Sequence, residues 1–444
     1  MKRKIILDTF FIISCAIIAK ALSFIIRILF ARSLSLEAMH YYTILSPTLM
    51  LALTLSQLSL PTALSKLIAK YPDDTFVFNV HNYLLLRLNV IVIVCLWGFA
   101  PLIASILGYP QLRVLIWMMI PIFPITSISA TLKNCLSGLQ MHRSAAFSQI
   151  PEEIVRILFL VLFYPQLKML NDIHAACVVI GSIALSEVGS VVYLWYTLQK
   201  SKKEKKQNGH QQQVQALRKK KKGWIKKENI GVHRKMIRRE FWQLALPASM
   251  SRLVGSLTYF LEPFLLALLA MKTYMNDYTY IYGYIMPFIT MPSFLSISLA
   301  NYLLPSFVHY QRRGENEKAS KLCFYILASC TLIGGGCAFV CYCYGDMLLE
   351  FLYKSDHGLH LLKMLAVPFA FYSLQPVLAS LMHGLNMSKE SFFDTLYGCL
   401  VRLGVYFLSP MIPFHIVVVS LVSSMLLTTI MHAIRIAKVL LREG

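Results

Sequence analysis

The sequence predicts an all-α polytopic membrane protein whose twelve transmembrane helices form two parallel six-helix halves. Three observations support this fold class: an apolar composition, twelve long apolar stretches, and basic residues that fall on alternate loops. Of the 444 residues, 57% are hydrophobic and only 14% are charged, whereas soluble domains carry about 25% charged residues. Most of the chain is therefore expected to lie in lipid.

Twelve apolar stretches are long enough to cross a bilayer, because a spanning helix needs about 20 residues. They lie at residues 5–30, 41–68, 81–107, 114–138, 147–163, 174–198, 241–271, 281–308, 321–345, 360–383, 393–410 and 414–440. A polar, lysine-rich segment follows the sixth stretch. The sequence therefore predicts an N-terminal six-helix bundle at 1–198, a basic and largely disordered cytoplasmic linker at 199–240, and a C-terminal six-helix bundle at 241–444.

The distribution of basic residues sets the predicted orientation. Of the 43 Lys and Arg residues, 31 lie in the termini, loops and span ends of one side, and six lie in the loops and span ends of the other side. Cytoplasmic loops carry the excess of Lys and Arg in membrane proteins, so we expect both termini in the cytoplasm of a protein of the cell membrane. The net charge of +22 then indicates contact of the linker with anionic membrane lipids rather than with nucleic acid.

The two halves resemble each other in sequence. The segment LSGLQMHRSAAF at 136–147 aligns with MHGLNMSKESFF at 382–393, and the same offset of 246 residues relates Arg156 to Arg402. Because six is an even number of spans, both halves have the same orientation. We expect them to be related by an axis along the membrane normal, with a path for a transported molecule between them.

Two cations interrupt the first apolar stretch. Lys20 and Arg27 lie seven residues apart on one helical face, with Ser23 between them. A charge at bilayer depth costs about 2.5–3.5 kcal/mol on insertion scales, so these residues are expected to face a water-filled interior. Arg252 lies early in the seventh span. Because guanidinium donors match phosphate oxygens in bidentate geometry, this set predicts a transporter site for a phosphate or diphosphate.

Four further charged residues within spans are candidates for counter-ions or for coupling to an ion gradient. They are Glu152, Arg156, Glu262 and Arg402. Glu152 and Arg156 stand four residues apart on the fifth helix and could pair. Glu262 fits three roles: a counter-ion to Arg252, a proton-linked switch or a cation site. Coupling to a Na⁺ or H⁺ gradient is therefore an expectation, whereas no bound cofactor is predicted.

The sequence contains no signature of a soluble enzyme or of a metal site. Its histidines form no HExxH-type pair, and its ten cysteines show no paired spacing. Gly334, Gly335 and Gly336 lie within an apolar span rather than in a phosphate-binding loop, and they predict close helix packing. We therefore expect a protein that is not an enzyme and that holds no metal.

Four motifs, in order along the chain, carry a resemblance to a known family. They are AKALSFIIRILFARSL and SLPTALSKLIAKY in the first two spans, SQIPEEIVRI at 148–157 and LPASMSRLVGSLTYFLEP at 246–263. These segments resemble the stage V sporulation protein B family of polysaccharide exporters. That family belongs to the multidrug/oligosaccharidyl-lipid/polysaccharide (MOP) exporter superfamily, together with MATE transporters and with MurJ-type and Wzx-type flippases.

The resemblance implies a MATE-like fold and the translocation of an undecaprenyl-diphosphate-linked saccharide, a peptidoglycan or polysaccharide precursor, from the inner to the outer leaflet. By position, Lys20, Arg27 and Arg32 match basic residues of the family's first helix, and Arg252 matches a polar position of its seventh helix. These four residues are the predicted diphosphate-binding set, and cell-wall synthesis proteins are the implied partners. Two features depart from the family pattern: Lys20 stands where arginine is usual, and twelve spans are predicted where many members have fourteen.

Two other functions stay open from the residues alone. A multidrug exporter of the same fold, driven by Na⁺ or H⁺, would favour organic cations and would require a buried carboxylate in the first half. The middle of the first span is cationic instead, and its acidic residue, Asp8, lies near the cytoplasmic end. A membrane scaffold that docks a synthase through the linker 199–240 would leave the buried charges unexplained.

Overall fold

The computed structural model describes residues 2–71, 75–207, 230–269, 271–291, 293–354, 358–408 and 415–443. These residues are almost entirely helical, and no β-strand occurs among them. The all-α class predicted from the sequence is confirmed. Residues 208–229, the middle of the predicted linker, lie outside the described residues, whereas the two ends of that linker are helical.

The helices of the first part of the chain are α1 (Lys2–Ser33), α2 (Leu36–Gln57), α3 (Leu60–Lys70), α4 (Thr75–Ile106), α5 (Leu112–Met119), α6 (Ile122–Gly138), α7 (His142–Phe147), α8 (Gln149–Leu167) and α9 (Asp172–Gln207). Between α2 and α3, Leu58 and Ser59 have φ values of 39° and 51°. Positive φ is uncommon for residues other than glycine, so the chain turns sharply here before Pro61 begins the next helix.

The helices of the second part are α10 (Ile230–Leu268), α11 (Lys272–Thr279), a π-helical segment (Tyr280–Ile285), α12 (Met286–Ile289), α13 (Ser293–Arg312), α14 (Asn316–Cys343), α15 (Gly345–Tyr353), α16 (Leu359–Tyr372), α17 (Gln375–Gly384), α18 (Ser388–Phe407) and α19 (Ile416–Glu443). The π-helical segment directly precedes α12, whose second residue is Pro287. Proline is tolerated at that position because the first N–H groups of a helix have no intrahelical partner.

Eight helices or helix pairs within the described ranges are long and apolar enough to cross a membrane. They cover eight of the predicted spans. A ninth predicted span is covered by two helical segments, Thr273–Ile289 and Ser293–Ala300, with a bend of 54° between them. The predicted fifth, seventh and eleventh spans coincide with α8, α10 and α18, which contain charged residues. The chain is thus a multi-pass membrane protein, and the number of twelve spans stays a prediction.

The chain forms two compact units. The first unit comprises residues 1–26, 48–104 and 110–253, and the second unit comprises residues 27–47, 105–109 and 254–444. The division falls within α1, between Ile26 and Arg27, so this helix contributes to both units. The domain boundaries expected at 198 and 240 stay predictions.

The core of the first unit joins α3 and α4 to the beginning of α10. Ile237 and Phe241, four residues apart, are fully buried in it. At the surface, Lys70 Nζ lies 3.0 Å from Glu240 Oε2. The expectation of disorder is therefore wrong for residues 230–240, because apolar side chains at helical spacing pack into the core and order this end of the predicted linker.

The core of the second unit joins α13, α14 and α17, and α14 also packs closely against α16. A Cβ atom at Gly334 would lie 2.4 Å from Ser373 Oγ and 2.5 Å from the carbonyl oxygen of Ala370. At Gly335 and Gly336, no described atom outside the helix lies within 4 Å of that position. The close packing predicted for the three glycines is therefore confirmed at Gly334 alone.

The turn after α6 and the turn after α17 have the same backbone conformation. Leu139 and Leu385 have φ, ψ values of −83°, 10° and −82°, 10°, and the following residues, Gln140 and Asn386, both have a φ of 60°. In both turns the backbone N–H of the next residue, Met141 or Met387, donates a 2.8 Å hydrogen bond to the carbonyl oxygen five positions earlier. The offset of 246 residues found in the sequence is thus also present in the structure, as an internal duplication requires.

Candidate functional site

Helix α1 carries the two cations that the sequence singles out. Lys20 is exposed, and Arg27 is half-buried with its guanidinium carbon 5.8 Å from the centre of the Tyr42 ring. Tyr259 and Tyr353 lie close enough to Arg27 to interact with it electrostatically. Among the residues that the structure describes, neither cation forms an ion pair. Neither charge is therefore neutralised by an ion pair, although Lys20 also interacts electrostatically with Glu153 beyond ion-pair distance.

Arg32, at the end of α1, has a different role. Its Nε donates a hydrogen bond to the carbonyl oxygen of Leu352 at 2.8 Å, and its Nη2 donates to the carbonyl oxygen of Phe351. Carbonyls of the last helical turn lack partners within the helix, and the helix dipole favours a cation at this end. The guanidinium of Arg32 thus holds the C-terminal end of α15, in addition to any contact it makes with a ligand.

A cluster of charged side chains joins four helices of the first unit. Lys133 Nζ on α6 lies 3.0 Å from Glu152 Oε2 on α8, and both side chains are more than three-quarters buried. Ser23 of α1 donates a hydrogen bond to Glu153. Glu187 on α9 adds a third carboxylate, whose Oε2 is buried and has no hydrogen-bond partner among the described residues. Carboxylates therefore dominate this part of the first unit.

Arg156 lies on α8 next to that cluster. The spacing of four residues suggested a pair between Glu152 and Arg156, whereas the structure gives Glu152 an ion pair with Lys133. Arg156 interacts electrostatically with Glu153. A partner on another helix is invisible to spacing rules, which apply within one helix only.

A deeply buried arginine–glutamate pair lies in the second unit. Glu262 on α10 is fully buried and accepts hydrogen bonds from Nε and Nη2 of Arg402 on α18, the latter at 3.0 Å. Tyr282, in the π-helical segment, donates to Glu262 Oε2 at 2.8 Å and accepts a hydrogen bond from Arg402. The rings of Tyr259 and Tyr278 pack on Tyr282 at centroid distances of 5.0 and 4.5 Å. The pair is bidentate and enclosed by aromatic rings.

This geometry favours one of the three roles considered for Glu262. A buried carboxylate needs a partner, and Arg402 supplies both the charge and two donors. The structure pairs Glu262 with Arg402 rather than with Arg252, and its roles as a proton-linked switch or a cation site stay predictions. Arg252 is exposed on α10.

A third group of polar side chains in the second unit could hold a metal ion. His415 Nδ1 lies 2.8 Å from Asp277 Oδ2, and the rings of His360 and His415 are 5.0 Å apart between centroids. One ligand atom from each of the three residues lies within 4.8 Å of the others. The sequence predicted no metal site because these residues come from three separate segments, and no short spacing links them.

The predicted site residues thus fall into separate groups. Lys20 and Arg27 share α1 without ion pairs, Arg32 binds the end of α15, Arg252 is exposed, Glu152 and Arg156 belong to the first-unit cluster, and Glu262 and Arg402 form the buried pair. The sequence also contained Glu187 and the adjacent acids at 152 and 153 within apolar stretches. Because acidic residues are rare in apolar stretches, these three could have indicated the carboxylate cluster. Only Glu152 is assigned a role from the sequence.

Solved structures share the fold of this chain. A multidrug resistance MATE family transporter of the MOP superfamily, in an inward-facing conformation, superposes with a TM-score of 0.69 at 14% identity, over 94% of this chain and 95% of that one. A MOP superfamily transporter from Pyrococcus furiosus, described by a reverse polarity of its binding pocket, superposes with a TM-score of 0.59 at 13% identity, over 97% and 95%. The MATE-like fold is thereby confirmed.

Sequence comparison gives relatives over nearly the whole chain. Stage V sporulation protein B of Bacillus subtilis (strain 168) is 26% identical over 99% of this chain and 85% of its own length. Sporulation protein YkvU of the same organism is 22% identical over 96% of this chain and 93% of its own length. Residues 5–311 match the family described as "Polysaccharide biosynthesis protein". Since that match covers more than half of the sequence, the chain belongs to the polysaccharide biosynthesis protein family.

Proposed function

We propose that this protein is a flippase that moves a saccharide linked to undecaprenyl diphosphate from the inner to the outer leaflet of the cell membrane. Its membership of a polysaccharide biosynthesis family and its transporter fold support this proposal. The mechanism is alternating access, with both termini in the cytoplasm. Translocation makes and breaks no covalent bond, so the protein is not an enzyme.

The proposal rests mainly on one observation: neither Lys20 nor Arg27 forms an ion pair with a described residue. Each charge costs about 2.5–3.5 kcal/mol in an apolar helix on insertion scales. Arg402 is compensated by Glu262, whereas no carboxylate among the described residues lies within ion-pair distance of either α1 cation. A diphosphate that enters from the cytoplasmic leaflet would supply the missing negative charge.

The two cations suit a diphosphate in different ways. The guanidinium of Arg27 can bind two phosphate oxygens at once, while the ammonium of Lys20 acts as a compact point charge. Seven residues of helix separate them by about 10 Å along the axis of α1. With the N-terminus in the cytoplasm, Lys20 meets the headgroup first and Arg27 receives it nearer the outer leaflet.

The surroundings of Arg27 suit the saccharide as well. Tyr42, Tyr259 and Tyr353 are close to the guanidinium. Tyrosine offers a flat apolar face and a hydroxyl, a combination that fits the mixed apolar and polar surface of a sugar ring. Tyr42 and Tyr353 are buried, whereas Tyr259 is half-buried, so we infer that Tyr259 contacts the first sugar while Arg27 holds the diphosphate.

The energy source and the partners belong to the proposal too. A Na⁺ or H⁺ gradient would act through carboxylates, and the first-unit cluster offers Glu187 with a buried oxygen that has no hydrogen-bond partner in the described structure. A cation that competes with Arg402 for Glu262 is a second way in which an ion gradient could be coupled to transport. The basic linker would contact anionic membrane lipids, and cell-wall synthesis proteins are the expected protein partners.

Transport of a fluorescent undecaprenyl-diphosphate disaccharide in proteoliposomes tests the function. The variant Lys20→Ala/Arg27→Ala is expected to lose at least nine-tenths of the leaflet-transfer rate, because both headgroup contacts are removed. The measured quantity is the fraction of label that becomes accessible to a quencher outside the vesicle, with and without Na⁺ and H⁺ gradients.

The variant Arg87→Ala/Lys168→Ala is the matched control for that experiment. Arg87 lies over the ring of Tyr83 and Lys168 over that of Tyr164, at 4.1 and 4.8 Å. The control therefore removes one arginine and one lysine, as the test variant does, and its arginine lies over a tyrosine ring as Arg27 does. It should transport at the wild-type rate. Equal rates for wild type and Lys20→Ala/Arg27→Ala would overturn the role of these cations, and an inactive wild type under every gradient would overturn the flippase.

One observation favours a cation-coupled multidrug exporter as the second candidate. Glu152, Glu153 and Glu187 place half-buried carboxylates in the first unit, where an exporter of organic cations requires them. Uptake of a fluorescent organic cation into inverted vesicles distinguishes the two functions. Drug uptake that is lost in Glu187→Gln but kept in Lys20→Ala/Arg27→Ala would support the exporter.

A further inference from the structure

Asp277, His360 and His415 form a compact donor cluster in the second unit. Asp277 lies on α11, His360 lies in the first turn of α16, and His415 immediately precedes α19. The predicted orientation puts all three at the outer ends of their spans. Side chains from three separate segments therefore meet on what we expect to be the outer side of the membrane.

The donors match the ligand set of a borderline divalent metal. Two imidazoles and one carboxylate, with a fourth position open to water, are typical of zinc and related first-row ions. Zinc bonds of about 2.0–2.2 Å place tetrahedral ligand atoms roughly 3.4 Å apart. The distance from His415 Nδ1 to Asp277 Oδ2 is 2.8 Å, and all three donor atoms lie within 4.8 Å. Small side-chain rotations would bring the three donors onto one ion.

The backbone at His415 supports a binding role. Its φ of 41° lies in the left-handed region, which costs a residue other than glycine about 1–3 kcal/mol. Its carbonyl oxygen accepts a hydrogen bond from Val418 N at 2.8 Å, so the residue is fixed at the N-terminal end of α19, and its Nδ1 atom lies 2.8 Å from Asp277. Strained residues of this kind cluster at ligand-binding sites.

The exposure of the cluster gives a metal ion access. His360 is exposed, whereas the side chains of His415 and Asp277 are 28% and 17% exposed. A hydrated ion can therefore reach the imidazole of His360 first and then exchange water for the two less accessible ligands. An ion pair involves only Asp277 and His415, whereas a metal ion would also use His360, whose ring lies 5.0 Å from that of His415 between centroids.

We propose that Asp277, His360 and His415 bind one zinc ion or a chemically similar first-row divalent cation. The ion links α11, α16 and α19 within the second unit. Because these helices have no covalent connection at this end, a shared metal fixes their spacing there. The site is independent of the diphosphate-binding cations on α1.

Zinc titration of the full-length protein, purified without a polyhistidine tag, tests the site. We expect one Zn²⁺ per chain by calorimetry, with a Kd in the micromolar range or below. His360→Ala, His415→Ala and Asp277→Asn should each weaken binding at least tenfold. His174→Ala removes an exposed histidine of the first unit and should bind Zn²⁺ like the wild type.

Cobalt substitution gives a second readout that does not depend on transport. A tetrahedral site of nitrogen and oxygen ligands produces visible Co²⁺ absorption without the near-ultraviolet thiolate band that binding to the exposed Cys95 or Cys343 would produce. His360→Gln, a mild change at an exposed position, serves if the alanine variants do not fold. The proposal is overturned if the wild type takes up no Zn²⁺, if the Co²⁺ spectrum shows thiolate ligands, or if Asp277→Asn/His360→Gln binds as tightly as the wild type.

Discussion

Arg27 and Arg402 are both arginines in membrane helices, and their surroundings give them different roles. Two hydrogen bonds from Arg402 to Glu262 neutralise its charge within the fold. The Arg27 guanidinium lies over the ring of Tyr42, 5.8 Å from its centre, and an aromatic face attracts a cation but does not neutralise it. The proposed diphosphate ligand would supply the negative charge that Arg27 lacks in the described structure.

Loss of one partner of the buried pair is expected to destabilise the protein. Glu262→Gln leaves the guanidinium of Arg402 without a counter-charge, a change that typically costs about 3–5 kcal/mol. The expected result is a clear fall in Tm for the purified protein in detergent. The double variant Glu262→Leu/Arg402→Met should recover much of that loss, because it removes both charges together.

The exposed pair Glu317–Lys321 on α14 provides the control. Both side chains are mostly exposed, and exposed pairs contribute little to stability. Lys321→Ala should therefore leave the Tm almost unchanged. If the double variant proves as unstable as Glu262→Gln alone, the stability of this region does not depend on charge compensation.

At the scale of the elements, corresponding helices of the two repeats use glycine at the same place. Gly138 ends α6 and Gly384 ends α17, and each directly precedes the shared turn. A Cβ atom would lie 2.8 Å from the carbonyl oxygen of Ser65 at Gly138, and 3.1 Å from Phe307 at Gly384. The sequence repeat therefore preserves a helix contact as well as a turn.

Alanine substitutions at the consecutive glycines of α14 test how closely this helix packs. Gly334→Ala should destabilise the protein, because its methyl group would press on the backbone of Ala370 in α16. Overpacking of this kind typically costs about 1–3 kcal/mol. Gly336→Ala, at an open position, should leave stability unchanged or raise it by up to about 1 kcal/mol, since alanine favours the helix. Thermal unfolding of the two variants measures the difference, and equal Tm values would contradict the packing contact.

At the scale of the whole molecule, the sequence predicts the features that follow from patterns within one segment, such as helices and unusual charges. Lipid leaves unpaired backbone groups no water to bind, so long apolar runs become helices, and the fold class follows. Lys20 and Arg27 were found because charges are rare in such runs. The pairing of Glu262 with Arg402, and the meeting of Asp277 with two histidines, depend on which helices are neighbours. No periodicity in one segment contains that information.

The orientation of the chain decides on which side of the membrane each proposed site lies. An epitope inserted between Lys168 and Met169, where Met169 is 87% exposed, should be accessible to antibody on intact spheroplasts. An epitope between Gly209 and His210 of the linker should be accessible only after permeabilisation. The reason is the charge distribution: 31 of the 43 basic residues lie on the linker side and six on the other. The reverse labelling pattern would place the zinc cluster in the cytoplasm and Arg27 nearer the inner leaflet than Lys20. The order in which these two cations meet the headgroup would then be reversed.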